Sequence, residues 1–217
     1  MRIAITGDSF TSTYRETYLQ QICNDVNLQV ISCQGFSGQS EYRIYRNFHE
    51  ILKLDTDVIL CCHTHHSRLY HPYEPVTSSY HGIKNEDVVE ASQKYFEHLY
   101  DDNFAREIQN LLIKDMQNIC KQKNIKLINI PCFDHSHIDK FYGLWILSGQ
   151  GLMECSKVDY KRDNNKEWEN QHYDYRPNHF TKNGHNVLAN NIIPHIKSYL
   201  NNNMDFHVTL LFPELFA

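Results

Sequence analysis

The run Asp57-Val58-Ile59-Leu60-Cys61-Cys62 constrains this chain most. Consecutive apolar side chains leave no polar face for water, so a strand built from them must be covered on both sides, as central strands of parallel sheets are. Other β-rich runs fall at Arg2 to Thr6, Leu28 to Cys33, Ile125 to Ile130 and, more briefly, Tyr142 to Leu147. Between them lie stretches with helical character. Thr13 to Asn24 carries Tyr14, Tyr18, Leu19 and Ile22 at helical spacing, and further helices are expected over Ser40 to Leu52, Glu86 to Tyr100 and Asn103 to Lys123. Strands alternating with helices predict an α/β fold, a three-layer α/β/α sandwich with a central parallel sheet. Thr181 to Leu200 closes the pattern as a last helix, which Pro194 is expected to kink or interrupt.

At 217 residues and 41% hydrophobic composition, the chain has the length and apolar content of one domain, spanning 1–217. A long His-, Tyr- and Pro-bearing loop covers 63–82, an insertion covers about 134–177, and an apolar tail covers 204–217. The tail is expected to dock on the body or on a partner chain, so an oligomer could form through it. A net charge of -5 without a lysine-arginine block argues against a nucleic-acid partner. No apolar span fits a membrane or a signal h-region, which predicts a cytoplasmic protein without a membrane partner. Seven cysteines, with Cys33, Cys61, Cys62 and Cys132 in or beside apolar runs, read as small buried hydrophobes in a reducing compartment.

Ser9 stands just past the first strand, in Gly7-Asp8-Ser9-Phe10. Open parallel sheets place ligands at that edge, and a hydroxyl there becomes a nucleophile if a base and oxyanion donors reach it. The alternative is that Ser9 caps a helix. Near the other end lies Asp174-Tyr175-Arg176-Pro177-Asn178-His179, followed by Asn183-Gly184-His185. With Gly35-Phe36-Ser37-Gly38 between them, these blocks make the chain resemble the SGNH (GDSL-type) hydrolases, and their order spans nearly the whole sequence. The resemblance implies a flavodoxin-like sheet, Ser9 as nucleophile, His179 as catalytic base, backbone N–H groups of Ser9 and Gly38 in the oxyanion hole, and no cofactor. The implied reaction is hydrolysis of an ester, such as an O-acetyl group on a glycan or small molecule, through an acyl-enzyme; transfer to an alcohol in place of water is the related option.

Two positions depart from the family pattern. Where an asparagine would donate to the oxyanion, the aligned stretch is His63-Thr64-His65-His66, so His65 takes that place and a ring N–H would donate. Where an aspartate would precede the base by three residues stands Arg176, and Asp174 is the candidate to orient His179. Asp8 reads as a turn residue and not as part of the acid-base set. Arg68 is a candidate for binding a substrate carboxylate or phosphate, or else a salt-bridge residue. Tyr70, Tyr73 and Tyr80 could stack on a sugar ring or simply pack.

Two other classes remain open at this point. His63 and His65 would point the same way on an extended segment and, with Asp134, His135, His137 and Asp8, outline a metal-dependent hydrolase. Alternatively, the departures mark a binding or structural module that kept the fold and lost catalysis.

Overall fold

The computed structural model describes residues 1–12, 14–15, 17–78, 83–147, 151–153, 155–156, 180–202 and 206–209. Strands β1 (Arg2–Gly7), β2 (Gln29–Gly35), β3 (Val58–His63), β4 (Lys126–Pro131), β5 (Leu144–Leu147) and β6 (Phe206–Thr209) form one parallel sheet in the order β2-β1-β3-β4-β5-β6. Its first five strands have the flavodoxin-like order of doubly wound sheets, and β6 extends the far edge.

Alternation along each strand divides the core in two. Ile3 and Ile5 of β1, Val58, Leu60 and Cys62 of β3, Ile128 and Ile130 of β4, and Leu144 and Ile146 of β5 face one side. Helices α1 (Tyr18–Asp25) and α5 (Lys182–Asn202) cover that side with Tyr18, Leu19, Ile22, Leu188, Ile192 and Ile196. Ala4, Ile59, Cys61, Leu127 and Trp145 face the other side, against Phe48 and Ile51 of α2 (Glu41–Ile51) and Ile113, Met116 and Cys120 of α4 (Asp102–Lys123). Both faces of β3 are buried throughout, as its unbroken apolar run requires. Helix α3 (Glu86–His98) buries only Ser92.

The helix ends follow local chemistry. Ser40 caps α2 by accepting from the Arg43 N–H at 3.4 Å, and Asp101 caps α4 by accepting from Phe104 N–H at 2.8 Å. Helix α4 stops where Asn124 turns left-handed at φ 54°, after lysines that complement the negative helix end.

Three expectations are corrected. Helix α1 begins at Tyr18, later than Thr13, because the chain after β1 first makes a tight 3-10 turn over Ser9–Thr11. Helix α5 continues through Pro194. Pro194 and Asn190, whose carbonyl loses its N–H partner, are both exposed, so water can serve that carbonyl. Cys33 is exposed on edge strand β2, whereas Cys61, Cys62 and Cys132 are buried. As expected of the tail, its residues Phe206–Thr209 dock on the body, here as a sixth strand paired Leu144 with Phe206 through Leu147 with Thr209, and residues 210–217 lie outside the described set. No helix among the described residues is long and apolar enough to cross a membrane.

Candidate active site

Strand register levels the exits of three loops. Gly7 pairs with Gly35 of β2 on one side and with Cys62 of β3 on the other, so the segments starting at Asp8, Phe36 and Thr64 leave the sheet side by side. This is the carboxyl edge, where doubly wound sheets take ligands. Only a residue without a side chain permits the approach at Gly7, because a Cβ there would lie 2.6 Å from Cys62 Cβ.

Ser9 opens the 3-10 turn and is mostly buried. The cap of that turn is Asp8, whose Oδ1 accepts from Phe10 N–H at 3.0 Å. The Ser9 carbonyl accepts from the N–H and hydroxyl of Ser12 at 3.2 and 2.8 Å, which closes the turn. Burial pushes the Asp8 carboxyl up, opposed by Arg68 and the Phe10 N–H. Arg68 Nη1 lies 3.4 Å from Asp8 Oδ2, with its guanidinium 4.9 Å from the centre of the Phe133 ring. The arginine expected to meet a substrate anion therefore has an internal carboxylate beside it.

Gly38 sits at φ +71°, a conformation that side chains disfavour, and a Cβ there would come within 2.3 Å of Pro75 Cβ. Its N–H donates to no described residue. Next to it, the Gln39 amide nitrogen donates to the Gly7 carbonyl, tying the two loops together, while Gln39 Oε1 is buried and meets no described partner.

His65 has a defined tautomer. Its Nδ1 accepts from the Ser67 N–H at 3.2 Å and lies 2.8 Å from the Ser67 hydroxyl, which leaves the proton on Nε2. Burial, joined by the neighbouring His66, Arg68 and Arg106, holds this imidazole down to about 4. The ring is neutral at physiological pH and carries an Nε2–H donor to which no described residue is bound.

The other histidines form a hydrogen-bonded wall. His63 Nδ1 is 2.8 Å from Glu41 Oε1 and its Nε2 is 3.0 Å from Asn129 Oδ1. Burial opposes charge on this ring, but Glu41 and Asn129 overcome it and the net shift is upward. Glu41 Oε2 accepts in turn from Thr64 N–H and Gln109 Nε2, each at 3.1 Å. Gln109 also reaches His135 Nε2 at 3.1 Å and His137 Nε2 at 2.9 Å. His66 Nε2 lies 2.8 Å from Asp102, which Arg106 and Tyr100 also hold, and these contacts keep its carboxyl far below the usual range. His63 and His65 thus do not converge on a shared ion: both nitrogens of His63 are already engaged. Among the described residues no group of three or more His, Cys, Asp or Glu has the geometry to hold a metal.

Sequence reasoning missed Glu41, Gln109 and Asn129. Glu41 at the start of α2 looks like an ordinary helix-dipole carboxylate; only its burial reveals the pairing.

The last block is tied to the first. Phe180 packs edge-on against Phe10 at 5.8 Å and against Tyr18 at 6.4 Å. His185 stacks on Tyr18 at 5.9 Å, and its Nδ1 accepts the Tyr18 N–H at 3.3 Å. Thr181 caps the start of α5 by accepting from Gly184 N–H at 3.0 Å. His179, Asp174 and Arg176, like Tyr80, lie outside the described residues.

No family model matches the sequence, and no curated relative does. Among solved structures, the chain is similar to a member of the lipolytic protein G-D-S-L family from Veillonella parvula, at 13% identity and TM-score 0.43 over 89% of this chain and 97% of that one. It is also similar to a GDSL-like lipase from Bacteroides thetaiotaomicron, at 13% identity and TM-score 0.37 over 96% and 67%. A carbohydrate esterase family 2 enzyme from Corynascus thermopiles matches at 13% identity and TM-score 0.44 over 92% and 66%. Across such structures the share of the matched chain ranges from 46% to 98%.

Proposed function

We propose that the protein is a serine hydrolase of the SGNH type, a single domain that cleaves an ester through an acyl-enzyme on Ser9 with His179 as general base. The observation that carries this reading is the packing of Phe180 on Phe10. These residues follow His179 and Ser9 in the chain, and neighbouring Cα atoms are about 3.8 Å apart. The ring contact thus supports a reading in which the segments carrying the proposed base and nucleophile meet from opposite ends of the sequence.

In this reading Ser9 Oγ attacks the ester carbonyl while His179 takes its proton. Negative charge on the carbonyl oxygen is met by the backbone N–H groups of Ser9 and Gly38 and by His65 Nε2–H. A neutral histidine suits that task, since its donor needs no proton uptake within the pH range of catalysis. Collapse expels the alcohol, which takes the proton from His179, and a water activated by the same base then releases the acid. Asp174 is the proposed orienter of His179. An ester on a glycan or small molecule is the proposed substrate.

Intact-mass labelling with a fluorophosphonate tests the pair without a known substrate. A single adduct on the native protein that disappears in Ser9→Ala and His179→Ala, and that persists with a chelator, is the expected result. A native protein that takes no adduct refutes the hydrolase reading and favours a binding module.

A further inference from the structure

Two adjoining hollows of about 220 and 270 Å³ run along α2, and Arg43 and Pro72 line both. The inner one opens beside the Gly38 turn, lined by Ser37, Gln39 and Ser40. The outer one is lined by Arg46, Asn47 and Tyr70. With a rise of about 1.5 Å per residue, Arg43 and Arg46 stand about 4.5 and 9 Å along the helix axis from Ser40. A molecule bound in the inner hollow would meet them in succession.

Both guanidinium groups are held in place. Arg43 Nη1 donates to the Pro72 carbonyl at 2.7 Å, with its guanidinium 5.3 Å from the centre of the Phe36 ring. Arg46 Nη1 donates to the Tyr70 hydroxyl at 2.5 Å, with its guanidinium 5.7 Å from that ring's centre. Neither forms a close ion pair with a carboxylate among the described residues, although the charge of Arg46 is felt by Glu50 in the same hollow. Two acids also line the hollows, Glu50 the outer and Glu74 the inner; Glu50 pairs with Lys53 Nζ at 2.6 Å and Glu74 accepts from the Lys84 N–H at 3.1 Å. Arginine carries five N–H donors, so each fixed side chain keeps most of them for a planar anion. The exposed Tyr73 ring stands at the rim, where a sugar face can stack.

We infer that this cleft recognises an acidic group, a carboxylate or a phosphate, on a sugar-bearing ligand, with Arg43 and Arg46 as its receptors. This deepens the hydrolase reading by naming its substrate as an ester of an acidic glycan or sugar phosphate. It also moves anion recognition from Arg68 to α2.

The test is calorimetric titration of the Ser9→Ala protein with trigalacturonate, with mannose 6-phosphate and with neutral cellotriose. At least one acidic ligand should bind tenfold or more tightly than cellotriose, and the stronger of the two identifies the source of the anion. Arg43→Gln and Arg46→Gln should each weaken that binding by about tenfold or more, as loss of a hydrogen bond to a charged group does. Lys94→Gln removes the same charge from α3 and should bind like the parent, with unchanged circular dichroism in all three. Acidic ligands that bind no better than cellotriose, or arginine variants that bind like the parent, overturn the inference. Fluorophosphonate labelling of the native protein is scored separately: acid binding without labelling supports the cleft and refutes the hydrolase, and labelling without acid binding does the reverse.

Discussion

Replacing His65 by alanine removes the third proposed oxyanion donor and nothing else that is charged. With the ring held down to about 4, about one imidazole in a thousand is protonated at pH 7, so the lost bond is that of a neutral donor. Deleting one such donor costs about 10²–10³ in kcat, or about 2.7–4 kcal/mol of transition-state stabilisation. The neutral ring places the expected loss at the lower end, about 100-fold. His65→Asn, which returns a side-chain N–H to the position, should recover part of it. The assays are the second-order rate constant of fluorophosphonate labelling and the turnover of p-nitrophenyl acetate at pH 7.5. Nitrogen-15 spectra of the ring provide a check independent of activity: they should show the Nε2–H tautomer and no titration between pH 6 and 8. A loss in His65→Ala of less than about threefold, or a His65 ring that titrates near its ordinary value, refutes the assignment.

Glu41→Ala leaves the N–H groups of His63 and Thr64 and the Gln109 amide without their buried acceptor, and should destabilise the fold by about 3–5 kcal/mol in urea unfolding; a cost below 1 kcal/mol would mean that water replaces the carboxylate. Phe180→Ala opens a cavity against Phe10 and Tyr18, with an expected cost of about 3–5 kcal/mol and a larger fractional loss of labelling than Phe104→Ala on the exposed face of α4, and equal labelling in the two variants would deny that Phe180 anchors the base. The thermal midpoint should fall as pH drops from about 6.5 towards 4. His65 and His137, each held down to about 4, and His135, held further down, bind protons less readily folded than unfolded, so their contribution is complete above the ordinary histidine value and lost below it. His63 acts in the opposite sense, its raised value adding stability at low pH that is lost as pH rises, but it is one ring against three. A midpoint that rises between pH 6.5 and 4.5 would contradict these environments.

Much of the frame was legible because its signals are local. The apolar run of β3, the alternation in β1 and β4, and the serine past the first strand require only neighbouring residues to be read. Strand β6 was not legible as a strand, since Phe-His-Val-Thr becomes one only against the open edge of β5. Helix α5 passes through Pro194 because that residue faces water, and exposure is a property of the packed whole.

The histidines show the same division most clearly. By sequence alone, His63 and His65 form a His-x-His pair that could chelate a metal, and the family resemblance singles out His65 as the expected oxyanion donor. In the fold, His63 points between Glu41, distant by 22 residues, and Asn129, distant by 66, and is consumed by them. His65 instead bonds locally to Ser67 and keeps its Nε2–H. Residue order therefore determined the parallel frame and the serine at its carboxyl edge, because periodicity and strand ends are written in adjacent side chains. The tertiary structure alone decided that both ring nitrogens of His63 are engaged while His65 keeps its Nε2–H unbonded among the described residues, because hydrogen-bond partners and the removal of water are set by residues that only folding brings together.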